Sequence, residues 1–286
     1  MTKKPLFGPG GNSDAFYDAG YKNTFEAPEF LQNIGLDAYE YEAGRGVTAS
    51  ADTFVKIGKE AKARNIKLSI HAPYYISLSS VEPEKRMGSS KYILQSAEAL
   101  KNMGAELMVI HAGSTAKLDR SDALSFAKDA IAYSLSKLSE QGLYGVKLGI
   151  ETMGKVNQLG TLDEVLSMCE VDSTVVPVVD FGHMNARECG NVFTTSDDYK
   201  KVFDAISQKC GSSVAENLHC HFSKIEFTNG GEKKHLTFED TVFGPDYHPL
   251  MKAIYDLGVS PTIICESDGT QSDDALLMKK AYLALE

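Results

Sequence analysis

The chain contains no CxxC pair. Its five cysteines, Cys169, Cys189, Cys210, Cys220 and Cys265, are odd in number and widely spaced, which argues against a disulfide framework and against a thiolate zinc knuckle. Reduced, buried thiols are the expectation. Long apolar runs are missing as well: no stretch of 18 uncharged apolar residues offers a membrane span. The first eleven residues hold two lysines but no apolar segment long enough for an export signal, so a cytoplasmic, reducing setting is expected. Basic residues are scarce, 29 Lys and Arg against 39 Asp and Glu, for a formal net charge of −10 and a pI near 5.2. That balance excludes nucleic-acid binding by bulk electrostatics, which needs clustered cations, but leaves room for a local basic or metal-lined groove. Finally, no Pro-, Gly- or Ser-rich linker and no low-complexity tract divides residues 1–286, which points to one domain.

What the sequence does have is the composition of a soluble globular protein, 43% hydrophobic and 24% charged, arranged in a regular alternation. Short β-like apolar runs are predicted at 4–8, 38–41, 67–71, 107–111, 147–151, 175–180, 217–222 and 262–266. Helical patterns lie between them at 51–64, 84–103, 121–141, 162–170, 196–209 and 273–285, with Ser121 and Asp273 as candidate N-caps and Gly104 and Gly142 as stops. Strict alternation implies a parallel sheet. Eight units in 286 residues favour an α/β fold of the (β/α)8 TIM-barrel type over an open doubly wound sheet.

Six of the eight predicted strands finish on or near a residue able to bind metal: His71, His111, Glu151, Asp180, His219 and Glu266. In a closed barrel the C-terminal strand ends meet around one rim, so residues scattered along the sequence converge in space. Crowded carboxylates and imidazoles there call for something that offsets repulsion and desolvation, and divalent cations do so most directly. The mixed donor set suits Zn²⁺, with Mn²⁺ or Fe²⁺ as substitutes. Asp180 and His183 lie three residues apart in the turn DFGHMNA. In LHCHFSK, His219 and His221 alternate onto the same strand face, and spacing does not choose between them. His235, in the polar stretch GGEKKHL, is expected on a functional loop after the seventh strand. His248, before Pro249, reads as a surface residue, and Gly8, Gly10 and Gly11 as a tight turn, not a phosphate cradle. Arg45 and Lys224 are the basic residues best placed near the rim.

Together these residues resemble the endonuclease IV family of zinc-dependent abasic-site endonucleases, within the wider group of xylose-isomerase-like barrels. The resemblance covers nearly the whole chain, through LSIHAPYYISL, VIHAGS, GIETMGKVNQLG, VVDFGHMNA, LHCHFSK and IICES. It implies a site of two or three Zn²⁺ ions, or Mn²⁺. His71, His111 and Glu151 would hold one ion, Glu151 with Asp180, His219 and Glu266 a second, and His183 with His235 the third. In the seventh-strand motif the alignment selects His219 over His221. Where the family has an aspartate two residues before the last histidine, this chain has Lys233, with Glu232 as the available substitute. The implied activity is hydrolysis of the phosphodiester 5′ of abasic sites in double-stranded DNA, with Glu151 and Glu266 at the reacting centre and Tyr74 and Arg45 entering the DNA. No membrane and no obligate protein partner is implied, and a monomer is expected. The competing expectation is a divalent-metal-dependent sugar isomerase or epimerase, for which Glu151, Asp180, His219 and Glu266 alone would make a one-metal site. The additional imidazoles favour the nuclease, and the acidic pI and Lys233 favour the sugar enzyme.

Overall fold

The computed structural model describes residues 4–115 and 118–286. Eight parallel strands form the central sheet: β1 (Leu6–Pro9), β2 (Ala38–Glu42), β3 (Lys67–His71), β4 (Leu107–His111), β5 (Lys147–Glu151), β6 (Val175–Asp180), β7 (His219–Phe222) and, after an antiparallel hairpin of β8 (Lys224–Thr228) and β9 (Gly231–Leu236), β10 (Thr262–Cys265). Their order around the sheet is β1-β10-β7-β6-β5-β4-β3-β2, which is a nearly closed (β/α)8 barrel. At the remaining seam, β1 and β2 meet through a single bridge between Gly10 and Glu40. The Asp37 N–H donates to the Phe7 carbonyl (2.8 Å) and the Gly11 N–H to the Glu40 carbonyl (2.9 Å). A Cβ on Gly8 would lie 1.8 Å from the Ala38 carbonyl oxygen, so the close approach of β1 to β2 requires glycine.

Strands β3, β4, β5 and β6 occupy the predicted spans, whereas β2 runs one residue further, to Glu42, and β10 stops one short of Glu266. Two helix starts differ from expectation. The helix Arg120–Glu140 begins before Ser121, with Asp119 at the N-cap, because Arg120 is pinned bidentately by Glu164 (2.7 and 2.8 Å) and to the Val156 and Gln158 carbonyls. The last helix, Gln271–Leu283, begins with Thr270 at the N-cap in place of Asp273. There the Asp274 carboxylate accepts from the Thr270 hydroxyl and the Phe238 N–H, which fixes an earlier start. Among the described residues no helix is long and apolar enough to cross a membrane. All five cysteines are free, Cys220 and Cys265 buried as expected but Cys189 exposed.

Alternation along the strands separates two environments. Ile70, Met108, Ile110, Leu148 and Ile150 face outward into one apolar layer beneath the helices, and Phe7, Tyr39, Val179, Cys220 and Phe222 into another. The residues between them face the barrel axis, where Val109, Val178 and Ile264 lie among polar groups in two tiers. Glu40, Ser69 and His219 make a lower tier, and Glu42, His71, Glu151, Asp180 and His221 the tier above. The registers Glu40↔Ser69, Glu42↔His71, Asp180↔His221 and His111↔Glu151 hold these levels together.

Candidate metal centre

At the C-terminal end of the barrel a cleft of about 530 Å³ is lined by His71, His111, Glu151, His183, His235 and Glu266, among others. Three sets of candidate donors meet on its floor, with donor atoms in each set within 4.8 Å of one another. In the first, His71 Nε2 and His111 Nε2 lie 3.3 and 3.4 Å from Glu151 Oε2. The second joins Glu151, Asp180, His221 and Glu266, with His221 Nδ1 at 3.0 Å from Glu151 Oε1 and 3.2 Å from Glu266 Oε1. The third is His183, Glu232 and His235, with Glu232 Oε2 at 3.5 Å from His183 Nε2 and Oε1 at 4.0 Å from His235 Nε2. Glu151 belongs to the first two sets and touches the third through His183 Nδ1 (3.4 Å).

Local sequence explains these placements. Asp180 caps the helix Phe181–Arg187 by accepting from the His183 N–H (2.7 Å), which turns both side chains of the DxxH pair toward Glu151. Phe181, wholly buried against Phe193 and Tyr199 at ring distances of 5.3 and 5.1 Å, anchors that turn. Thr152 ties β5 to β6 by accepting from the Asp180 N–H (2.9 Å).

His235 lies on β9 of the hairpin, not on an irregular loop. The hairpin hangs on the segment after β5 through the Glu232 N–H to the Gly154 carbonyl (3.0 Å) and the Val156 N–H to the Gly230 carbonyl (3.1 Å). A Cβ on Gly154 would meet Glu232 at 2.6 Å, so glycine is what admits the hairpin. Residues three apart on a regular strand face opposite ways. Here the pairing passes from Glu226↔Lys234 to Phe227↔Glu232, which leaves Lys233 as the extra residue of a β-bulge and returns Glu232 and His235 to the same face. Lys233 points outward to Glu226 (2.6 Å).

One expectation is corrected. His221, not His219, stands with Glu151, Asp180 and Glu266. His219 is two residues lower on β7 and its Nε2 faces Glu40 (3.0 Å). The strand's period of two sends both rings inward but to different depths. Sequence reasoning also missed Glu40 and Glu42 of AYEYE, whose alternation with outward tyrosines was the available signal. Tyr74 is 60% exposed at the mouth of the cleft, its ring 5.8 Å from His71 and 5.4 Å from His111. Its N–H donates to Gly44 (3.1 Å), beside the exposed Arg45.

The protons of this site report a shortage of positive charge. Burial, reinforced by Glu151 and only partly offset by His221, pushes the Glu266 carboxyl up to about 7. Burial and Glu40 do the same to Glu42, against the pull of His71, again to about 7. For His71, burial is outweighed by the hydrogen bond to Glu151 and the charges of Glu42, Glu151 and Glu266, which raise it to about 10. Carboxylates also hold His183 and His221 well above the ordinary imidazole range despite burial, whereas burial lowers His111. Divalent cations fit this donor set in two further respects. Asp180 Oδ2 is buried without a hydrogen-bond partner. The Nδ1 atoms of His71 and His183 face the Ala72 and Thr152 carbonyls (2.9 and 3.0 Å), which keeps a proton on Nδ1 and turns Nε2 into the cleft, where a bound ion would take the place of the second proton.

Comparison with known proteins agrees with the architecture. An uncharacterized protein of Methanocaldococcus jannaschii is 34% identical over 90% of this chain and 92% of its own length. A probable endonuclease 4 of Acholeplasma laidlawii is 28% identical over 65% of this chain and 62% of its own. Among solved structures, endonuclease IV from Thermus thermophilus superposes with a TM-score of 0.68 at 17% identity, covering 98% of both chains. A D-tagatose 3-epimerase-like protein superposes with 0.71 at 18%, covering 98% of this chain and 97% of that one; at such identities the two likenesses speak for the fold alone. The profile of the xylose isomerase-like TIM-barrel family matches residues 28–283, and the chain belongs to that family.

Proposed function

We propose that this protein is a divalent-metal-dependent endonuclease of the endonuclease IV type, which hydrolyses the phosphodiester 5′ of abasic sites in duplex DNA with two or three Zn²⁺ ions, or Mn²⁺ in their place. The observation that carries this reading is the presence of three donor sets around Glu151, two of which a one-metal sugar enzyme would leave without a task. Relatives named probable endonuclease 4 support it.

In this reading His71 and His111 with Glu151 hold one ion, Glu151, Asp180, His221 and Glu266 a second, and His183, Glu232 and His235 a third. Bound divalent ions supply Lewis acidity at the phosphate and lower the pKa of water. Glu151, fully buried, links the sets and keeps a fixed geometry. Glu266 lines the cleft, where its carboxylate can take the proton of an attacking water. Tyr74, at the mouth, and the exposed Arg45, next to the Gly44 that Tyr74 bonds, would enter the gap that an extruded base-less sugar leaves in the duplex, and such a sugar costs little to extrude because it has no base to unpair.

The four-donor set of Glu151, Asp180, His221 and Glu266 would by itself serve a one-metal epimerase, which is the second reading. A labelled duplex with one synthetic abasic site separates the two. Zinc-loaded protein should incise it 5′ to the lesion, and the activity should vanish in EDTA and fall at least about 100-fold in His111→Ala. If metal analysis finds bound ions yet zinc- and manganese-loaded protein both leave the duplex intact, the nuclease reading fails and ketoses become the substrates to assay.

A further inference from the structure

Below the rim, in the lower tier of the barrel, sits a carboxylate that none of the three donor sets uses. Glu40 is wholly buried. Its Oε2 accepts from the Ser69 hydroxyl at 2.6 Å and faces His219 Nε2 at 3.0 Å. Its Oε1 lies 2.8 Å from His221 Nε2. That contact is close but off the hydrogen-bonding axis, and both atoms lack any other partner.

His221 is thereby set apart from the other imidazoles of the rim. His71 and His183 are oriented through Nδ1 by backbone carbonyls, and His235 through Nδ1 by the Ser223 hydroxyl (2.9 Å). These rings turn Nε2 to the cleft. On His221 the roles are exchanged: Nδ1 faces Glu151 and Glu266, and Nε2 faces down to Glu40. A carboxylate on that side favours a proton on Nε2, so that when an ion displaces the proton that Nδ1 shares with Glu151 (3.0 Å), the Nδ1 lone pair is directed at the rim.

We infer that Glu40 is the positioning residue for His221, gripping Nε2 from below so that Nδ1 is presented to the ion between Glu151, Asp180 and Glu266, with Ser69 and His219 fixing the carboxylate in turn. This inference rests on reading the rim as a metal centre, but not on the substrate. Glu40 also falls in two further groups, one with His219 and His221 and one with Glu42 and Glu266, but each of these draws on His221 or Glu266, which the second donor set already uses.

The test is titration of the fully zinc-loaded protein with a chromophoric chelator, for the native chain and for Glu40→Gln, Glu40→Ala, His221→Ala and the double variant Glu40→Ala/His221→Ala. Glu40→Gln can still accept from His221 and should weaken one ion by about 10-fold, and Glu40→Ala by about 100-fold, with the other ions unmoved. The ion affected should be the one lost in His221→Ala, and Glu40→Ala should weaken nothing further in that background. Should Glu40→Ala fail to fold, Glu40→Gln alone decides, with the melting of the EDTA-treated protein as its control. Unchanged affinity in Glu40→Gln, uniform weakening of every ion, or loss of an additional ion distinct from that of His221 would each overturn the inference. Failure to incise abasic DNA would sink the nuclease reading and leave the chelator result standing.

Discussion

Gly8→Ala tests whether the barrel closes as described. The added methyl would stand 1.8 Å from the Ala38 carbonyl oxygen and 2.4 Å from its carbon. Both are backbone atoms, so no side chain can swing away. To bring that contact to 3.0 Å, β1 and β2 must part by about 1.2 Å. The two seam hydrogen bonds, now 2.8 and 2.9 Å, would stretch to roughly 4 Å and be lost. Two hydrogen bonds at about 1 kcal/mol each and overpacking strain of about 1–3 kcal/mol give a destabilisation on the order of 2–6 kcal/mol, bonds and strain not being strictly additive. With an unfolding entropy of about 2.1 cal/mol/K per residue, the melting temperature falls by roughly 3–10 °C. The assay is thermal unfolding in EDTA, so that bound ions do not mask the change. The control is Gly88→Ala, in the helix Pro83–Met103, where an added methyl meets nothing within 4 Å. It should stabilise by about 0.5–1 kcal/mol. A Gly8→Ala protein that melts within about 1 °C of the native chain would refute the seam, and with it the geometry that carries Glu40 and Glu42 to the barrel axis.

Two more predictions concern the site. Glu232→Ala should lose one of the bound ions, with at least about a 10-fold drop in its affinity, whereas deletion of Lys233 leaves Glu232 and His235 two residues apart on a regular strand, hence on one face, and should retain that ion; its loss in the deletion would refute the bulge argument. In EDTA, the urea midpoint should fall as pH rises from about 6.5 to 8. His71 binds its proton more tightly folded, at about 10 against an ordinary 6.5, so its contribution is complete below 6.5 and drains away as pH climbs toward 10. His183 and His221 are raised in the same sense, and Glu42 and Glu266, near 7 against an ordinary 4.5, have lost theirs once pH passes 7. The window begins at 6.5 because His111 and His219, held below the ordinary value, act oppositely beneath it. Saturating zinc should reverse the trend, since ligands shed protons to bind it, and a flat or rising midpoint in EDTA would count against the electrostatics described.

How much of this was legible depended on which physical signal each residue leaves in sequence. Strands β3 to β6 are short, mainly apolar segments ending at His71, His111, Glu151 and Asp180, and both their limits and their terminal residues could be read directly. Strand β7 could not be resolved so well, because HCHF puts two histidines on one face and only depth in the barrel separates His219 from His221. The hairpin Lys224–Thr228/Gly231–Leu236 was invisible as structure: its second strand, GEKKHL, has no apolar period, and its hold on the chain comes from backbone bonds to Gly154 and Val156. Lys233, read as a break in the expected pattern, is the residue whose insertion lets Glu232 take the vacant role. Glu40 and Glu42 were missed because the second strand was ended at Tyr41 and its carboxylates were not assigned a direction, although AYEYE alternates as strictly as any strand in the chain.

The acidic balance that weighs against a DNA-binding protein has a local component. Glu40, Glu42, Glu151, Asp180, Glu232 and Glu266 are six of the 39 acidic residues, and all lie at the barrel centre or its rim. Their ordinary role as surface charges is forfeited, since buried carboxylates in water-poor surroundings must be protonated, paired or bound to cations. The histidines meet part of that demand, and the raised Glu42 and Glu266 show how much is left. Three divalent cations, if the proposed site fills, would bring the formal charge from −10 to about −4 and place all of the added positive charge in the cleft. A phosphate entering there would meet the ions' field and not the average charge of the chain, because ionic screening at physiological salt confines the influence of the distant surface carboxylates to about 8 Å. Net charge and pI therefore bear on how the protein meets DNA at a distance, whereas the choice between a phosphodiester and a sugar is made by the donor sets around Glu151.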